Sequence, residues 1–308
     1  MQMDRRFWQG FWQLADIRSW TASSVPMAVG GALAFSTTGR FELGWFILAL
    51  LTIYLIETGK NAVNEVVDYK TGVDRFIVPE RRTPFSGGKK TIVDGKLTLQ
   101  EAKVIAIITI GAACLLGLYI ALVQEPAVFW VGLAGVFLAI FYVLPPFKFA
   151  YRGLGEIVVG ITFGPLIVSG VYLMLTHTLN LSVVAVSLPI GFLIANVLWI
   201  NQYPDYEADQ QGNKRNGLIR LGKERGLKVY ALLFSGAYAT LVLVAVIFRN
   251  PFWLVGFFSL PLAIEAVKAA RVYYDDVPRL IQANIRTLQV YQLMGVSLLV
   301  GSFSSLLI

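Results

Sequence analysis

Nine apolar blocks, each close to bilayer-crossing length, constrain this 308-residue chain more than any other feature. A spanning helix needs about 20 mostly apolar residues. Blocks of that kind lie near residues 20–38, 43–63, 103–123, 126–144, 154–176, 181–202, 228–248, 251–270 and 288–307. Only 15% of the residues are charged, against about a quarter in an ordinary soluble domain. The expected fold is all-α: a single domain over residues 1–308, built as a multi-span transmembrane helical bundle of about nine helices.

Residues 1–19 lack the short apolar core and small-residue cleavage site of a signal peptide. Phe7, Trp8, Phe11, Trp12 and Leu14 are set against Arg5, Arg6, Asp16 and Arg18, the pattern of a helix lying in the membrane interface. An aromatic anchor before the first span is the alternative. Cys114 is the single cysteine, so an intramolecular disulfide and a thiolate metal site are excluded. His177 is also single, and it falls in a short connection as a surface residue.

With nine spans, the connections after spans two, four, six and eight return to the side of the N-terminus. Nearly all the basic residues lie there, while the opposite face carries Arg40 and Arg249. Basic loops stay cytoplasmic, so the N-terminus and these loops are expected in the cytoplasm. The formal charge of +7 is then a product of topology and of affinity for anionic membrane lipids, with no nucleic-acid partner required. Two connections on this face are long, 64–102 and 203–227, and both concentrate acidic residues. Long loops in an otherwise economical chain tend to carry function.

The first of these loops opens with NEVVDYKTGVDR at residues 64–75. If the second span continues as a helix, Glu57, Asn61, Asn64 and Asp68 recur along one face. Gly72 then permits a turn that brings Asp74 back toward Asp68. The second loop reads NQYPDYEADQQGNKR at 201–215, with Asn201, Asp205 and Asp209 spaced to share a face and Pro204 expected to kink the helix between them. Acidic groups at membrane helix ends are costly without a partner or a cation. Mg²⁺ takes oxygen ligands and binds through one or two carboxylates plus substrate phosphates. Two facing arrays therefore predict two Mg²⁺ ions and a diphosphate, one ion on Asn64, Asp68 and Asp74 and the other on Asn201, Asp205 and Asp209. Lys70, Arg75, Arg81, Lys214 and Arg215 are expected to neutralise the remaining phosphate charge. Solvated loop ends are the plainer alternative, weakened by the pairing of the arrays.

These two motifs resemble the Asp-rich motifs of the UbiA superfamily of intramembrane prenyltransferases. The wide spacing with Gly72 before Asp74, the QGNKR tail followed by IRLGKERG, and YVLPPFKFAYRGLGE at 142–156 resemble the branch that prenylates 1,4-dihydroxy-2-naphthoate. The resemblance covers most of the chain. It implies Mg²⁺-dependent transfer of a polyprenyl group from a polyprenyl diphosphate to an aromatic acceptor, in menaquinone biosynthesis. It also implies substrate contacts from Asn61, Tyr142, Lys148 and Tyr151, and a role for Glu156 near the acceptor or its proton. Two positions depart from the family pattern. Glu65 stands where an Asp is common, and Asn216 and Gly217 follow Lys214 and Arg215 where a Thr is common. Other acceptors, and a membrane transporter or carrier that uses the acidic loops as an ion site, remain alternatives.

Three further features carry expectations. SGGKK at 86–90 lacks P-loop spacing and is expected in a cap over the site, or else as a plain turn. Glu265 is expected to pair with Lys268 or a neighbouring helix. The glycines and aromatics of the fourth and fifth spans read mainly as close helix packing, with the lining of an isoprenoid tunnel as the alternative for some of them.

Overall fold

The computed structural model describes residues 2–78, 81–85, 88–304 and 306, with backbone alone for residues 2–4 and 18. The Arg18 side chain, and Ser86 and Gly87 of the glycine-rich turn, lie outside the described residues. Thirteen helices follow one another without a strand among the described residues. They are α1 Gln2–Ala15, α2 Trp20–Thr38, α3 Leu43–Thr71, α4 Val73–Phe76, α5 Leu99–Val123 and α6 Val128–Phe141. Then come α7 Gly155–Thr176, α8 Leu181–Asn201, α9 Tyr206–Gln211, α10 Gly217–Leu221, α11 Lys223–Phe248, α12 Pro251–Tyr273 and α13 Val277–Ser304. Six of these, namely α3, α5, α7, α8, α11 and α12, are long and apolar enough to cross a membrane. With α2, α6 and α13 they occupy the nine expected positions. Ile107, Leu115, Leu122 and Trp130 on the outer faces of α5 and α6 are each about 70% exposed, as lipid-facing side chains are.

Helix ends follow local chemistry. Thr98 caps α5 by accepting from the Glu101 amide, while the Glu101 side chain accepts from the Thr98 amide, a reciprocal capping box. Gly72, at φ +83°, ends α3 in the left-handed conformation and turns the chain at once into α4. The helix therefore runs on through residues that composition assigned to the first long loop. The second long loop likewise contains α9 and α10. The spacing of Asn201, Asp205 and Asp209 predicts one face of a kinked helix. Instead α8 stops at Asn201, residues 202–204 form turns around Pro204, and Asp205 leads into the separate α9. Proline disfavours helical backbone in the residue before it, which accounts for the break.

The main core joins α2, α7, α8, α11, α12 and α13, with Trp253, Tyr230, Tyr291, Leu193 and Leu298 among its fully buried members. A smaller cluster of Leu14, Ala62, Leu97, Ile105 and Ala106, with Phe7 and Phe11 against it, seats α1 on α3 and α5. Trp8 and Trp12 face outward at 53% and 49% exposure, so the aromatics of α1 divide between packing and the outer surface. Arg6 pairs with Glu101 at 2.5 Å and donates to the Lys96 carbonyl, and Lys89 pairs with Asp16. These contacts strap α1 to residues 89–101. His177 is exposed and meets Glu125 at 2.9 Å, and Glu265 pairs with Arg286 of α13 at 3.0 Å rather than with Lys268.

Close approach of α7 to α8 depends on glycine. A wider π turn spans Thr162–Leu166, where Pro165 has no amide to give the regular ladder. A Cβ at Gly164 would lie 2.8 Å from the Gly191 Cα, and one at Gly191 would lie 2.8 Å from the Gly160 carbonyl oxygen. Backbone cannot yield as a side chain does. Gly191→Ala is therefore expected to destabilise the bundle by about 1–3 kcal/mol, read as a lower melting temperature in detergent. Gly111→Ala, where a Cβ meets nothing within 4 Å, leaves the melting temperature unchanged.

Candidate active site

The two acidic arrays meet at one end of the bundle, above a small apolar floor of Val67, Val143 and Ala150. Asp68, near the end of α3, is 4% exposed. Its Oδ1 accepts from the Tyr151 hydroxyl at 3.1 Å, and its Oδ2 lies 3.5 Å from the Lys214 ammonium. The Gly72 turn carries Asp74 back into the protein, where it is 1% exposed and near enough to feel the charges of Asp68 and Glu65. Gly88 closes over it so tightly that a Cβ there would sit 2.5 Å from Asp74 Oδ1. Neither Asp74 oxygen has a hydrogen-bond partner, and nor does Asn64 Oδ1.

From the other array, Asp209 on α9 is 4% exposed. It accepts from the Asn216 amide at 2.8 Å, and its second oxygen lies 3.8 Å from Lys214 Nζ. Lys214 thus stands between the two arrays, touching Asp68 on one side and Asp209 on the other. Asp205 adds its charge beside Asp209, and Asn201 is held by Asn284, whose amide donates to Asn201 Oδ1 at 2.7 Å.

Several predicted contacts fall elsewhere. Asn61 donates to the Leu14 and Ala15 carbonyls at 3.2 and 3.4 Å, so it anchors α1 rather than a substrate. Of the five expected cations only Lys214 enters the cluster. Lys70 and Arg215 are exposed, Arg75 is exposed and lies over the Tyr69 ring, and Arg81 pairs with Glu207. A long side chain on an outer helix face gains more from water than from a buried cluster. Lys148 lies over the Tyr151 ring at 5.4 Å. Glu156 accepts from Gln202 at 2.6 Å and from the Gly217 amide at 3.1 Å, tying the start of α7 to α10. Glu65 reaches the strap: its Oε1 accepts from the Thr91 hydroxyl and the Ile92 amide, both at 2.9 Å.

Electrostatics sharpen the picture. Burial, then repulsion from Asp68 and Glu65, pushes the Asp74 carboxyl up to about 7. Burial pushes Asp209 up to about 7 as well, against the attraction of Lys214 and with the repulsion of Asp205 and Asp68. Desolvation alone would lower Lys214, but Asp209 and Asp68 outweigh it and hold the ammonium well above its usual range. Burial and the Asp68 charge lift the Tyr151 hydroxyl to about 12, keeping it a donor. The cluster is a set of oxygens in excess of cations, which is the donor chemistry of Mg²⁺. Among the described residues no three Asp, Glu, His or Cys side chains form a complete cage. An ion that keeps waters and takes phosphate oxygens needs only one or two carboxylates, and the orphaned Asp74 oxygens and Asn64 Oδ1 fit it.

Below the cluster a chamber of about 510 Å³ opens between α3, α5, α6, α7 and α8. Asn64, Tyr142 and Asn201 form its polar mouth, and Ile53, Leu118, Gly132 and Met174 line its apolar depth. Glu57 and Lys60 of α3 also face it. Lys60 escaped the sequence reading, although a charge three residues from Glu57 within an apolar span is itself a signal. The helpers Asn284 and Gln202 carry no comparable sequence signal, because only tertiary packing gives them their partners, whereas Asn216 stood out only as a departure from the family pattern.

Both raised carboxyls remain protonated in the fold at pH values where the unfolded chain, with a carboxyl near 3.8, has already ionised. Their contribution to stability is full below about 4 and is lost as pH rises through 7. Without divalent cations the detergent-solubilised protein is expected to melt at a lower temperature at pH 8 than at pH 5.5. Asp74→Asn reduces that difference in a fluorimetric melt, leaving the part due to Asp209; an unchanged slope would contradict the assignment.

The model of the UbiA prenyltransferase family matches residues 23–289. A 1,4-dihydroxy-2-naphthoate octaprenyltransferase of Bacillus subtilis (strain 168) is 28% identical over 95% of this chain and 92% of its own length. The protein of that name from Escherichia coli (strain K12) is 31% identical over 84% of this chain and 86% of its own. A solved UbiA homolog from Archaeoglobus fulgidus, bound to GPP and Mg²⁺, superposes with a TM-score of 0.70 over 97% of this chain and 100% of its own, at 16% identity, and so shares the fold. The chain belongs to the UbiA prenyltransferase family and is an integral membrane prenyltransferase.

Proposed function

We propose that this enzyme transfers a polyprenyl group from an allylic polyprenyl diphosphate to 1,4-dihydroxy-2-naphthoate, with two Mg²⁺ ions, in menaquinone biosynthesis. The observation that carries the proposal is the convergence of Asp68, Asp74 and Asp209 around Lys214 at the mouth of an apolar chamber. The names of the Bacillus and Escherichia relatives, and the GPP and Mg²⁺ bound to the Archaeoglobus homolog, support it. The excess of basic residues on the site-bearing loops supports a cytoplasmic active site and a cytoplasmic N-terminus.

In this proposal Asn64, Asp68 and Asp74 hold one ion, and Asn201, Asp205 and Asp209 the other. Bound Mg²⁺ supplies charge neutralisation that makes diphosphate a better leaving group. Lys214 offers its ammonium donors to the phosphate oxygens from between the arrays. Tyr151 fixes the orientation of Asp68 through its hydroxyl. The isoprenoid tail lies in the chamber, whose apolar walls exclude the water that would otherwise capture the allylic cation. The electron-rich ring attacks that cation at the mouth, and the attacked carbon then sheds the group it carried, as a proton or as CO₂ from a carboxyl, to restore the aromatic ring.

Purified enzyme with a polyprenyl diphosphate should release pyrophosphate and form prenylated naphthoate only when Mg²⁺ is present, and should leave 4-hydroxybenzoate unreacted. Asp68→Asn and Asp205→Asn are each expected to lower the rate by about 100-fold or more. Near-normal transfer by both variants at limiting Mg²⁺ would overturn the ligand assignment.

A further inference from the structure

Diphosphate binding leaves a charge pair inside the chamber unexplained. Among the described lining residues Glu57 and Lys60 are the only charged ones. Glu57 Oε2 meets Lys60 Nζ at 3.0 Å, with the side chains 7% and 24% exposed. An ion pair in a membrane interior is costly and by default functional.

Position along α3 separates this pair from the phosphate end. Lys60 precedes Asn64 by four residues and Asp68 by eight, which at 1.5 Å per residue is about 6 and 12 Å of helix rise. The Lys60 backbone therefore sits about one turn inside the polar mouth. Its ammonium lies over the Phe163 ring, 5.6 Å from the centroid. An ammonium has three donors, and Glu57 takes one.

We infer that Lys60 is the binding site for the carboxylate of an aromatic acid acceptor, which lays its ring against Phe163 and turns its reactive edge toward the mouth. Glu57 is the resident partner: it holds the Lys60 side chain in the chamber while the acceptor is absent, and the acceptor carboxylate then shares or replaces it. The inference rests on the proposed aromatic acceptor and adds the group that selects it. Lys60 is a specificity determinant, and it breaks no bond.

The test is metal-free binding to the purified full chain in detergent, comparing 1-hydroxy-2-naphthoate with 1-naphthol, which differ by the carboxylate alone. Wild type is expected to prefer the acid by about tenfold or more, the ratio that a charge-assisted hydrogen bond supplies. Lys60→Arg keeps the preference and Glu57→Gln raises it. Lys60→Met abolishes it, and so does the neutral pair Glu57→Gln with Lys60→Met, which leaves no unpaired buried charge to threaten folding. The KM for polyprenyl diphosphate stays within about twofold in the double variant, because only the acceptor contact is lost. Equal affinity for the two probes in wild type, a preference that survives in the double variant, or a loss confined to the diphosphate KM would each overturn the inference. If wild type binds the acid preferentially but forms no prenylated naphthoate, the proposed reaction fails while the carboxylate site stands.

Discussion

Repulsion among carboxylates that the fold forces together is the constraint on which the rest of this structure depends. Asp68 is the pivot: it feels Asp74 across the Gly72 turn and Asp209 across Lys214. Lys214, with Lys90 acting on Asp74, cannot balance so many buried acids, and two of them are pushed toward neutrality, burial being the first cause. A soluble protein would hydrate such a cluster. Here Gly88, the strap and the helix ends close around it, and in the proposed function cations brought in with an anionic substrate relieve it.

The bundle converts that local tension into a directed site. Because α3 continues past the apolar block to Thr71, one helix carries Glu57, Lys60, Asn64 and Asp68 in succession from chamber to mouth. Polarity along this single rail changes from hydrocarbon walls through an ion pair and an amide to carboxylates. Glycine contacts between α7 and α8, with the π turn at Pro165, set the opposite wall. A substrate with a phosphorylated head and a long apolar tail has only one sensible direction in which to lie.

Much of this was legible in the sequence. The positions of the long helices followed from block length, though not the total of thirteen helices among the described residues, and the facing arrays from residue spacing, since both depend on backbone geometry alone. The two arrays differ instructively. Asn64 and Asp68 lie on a continuous helix as expected, whereas Pro204 broke the second array into turns and a separate helix that still delivers Asp209. What the sequence hid was the fate of flexible side chains. Arg75, Arg215 and Lys70 look like phosphate ligands by proximity in the chain but extend outward, and Asn61 looks like a member of the polar face but fastens α1. Glu156 was visible as an intramembrane-edge acid, yet only the folded chain shows its pairing with Gln202 and Gly217.

Glu65 carries a wider consequence. Its side chain, one methylene longer than the Asp common in the family motif, spans to Thr91 and Ile92 of the strap and is 1% exposed. The acidic motif and the segment that roofs it are therefore a matched pair, fitted to each other by the length of one side chain. Shortening the acid alone would strand a buried amide and hydroxyl. Grafting the roof from a relative with Asp at this place would face the opposite mismatch. Domain-shuffling experiments on this enzyme must accordingly move residue 65 and residues 88–97 as one exchangeable part.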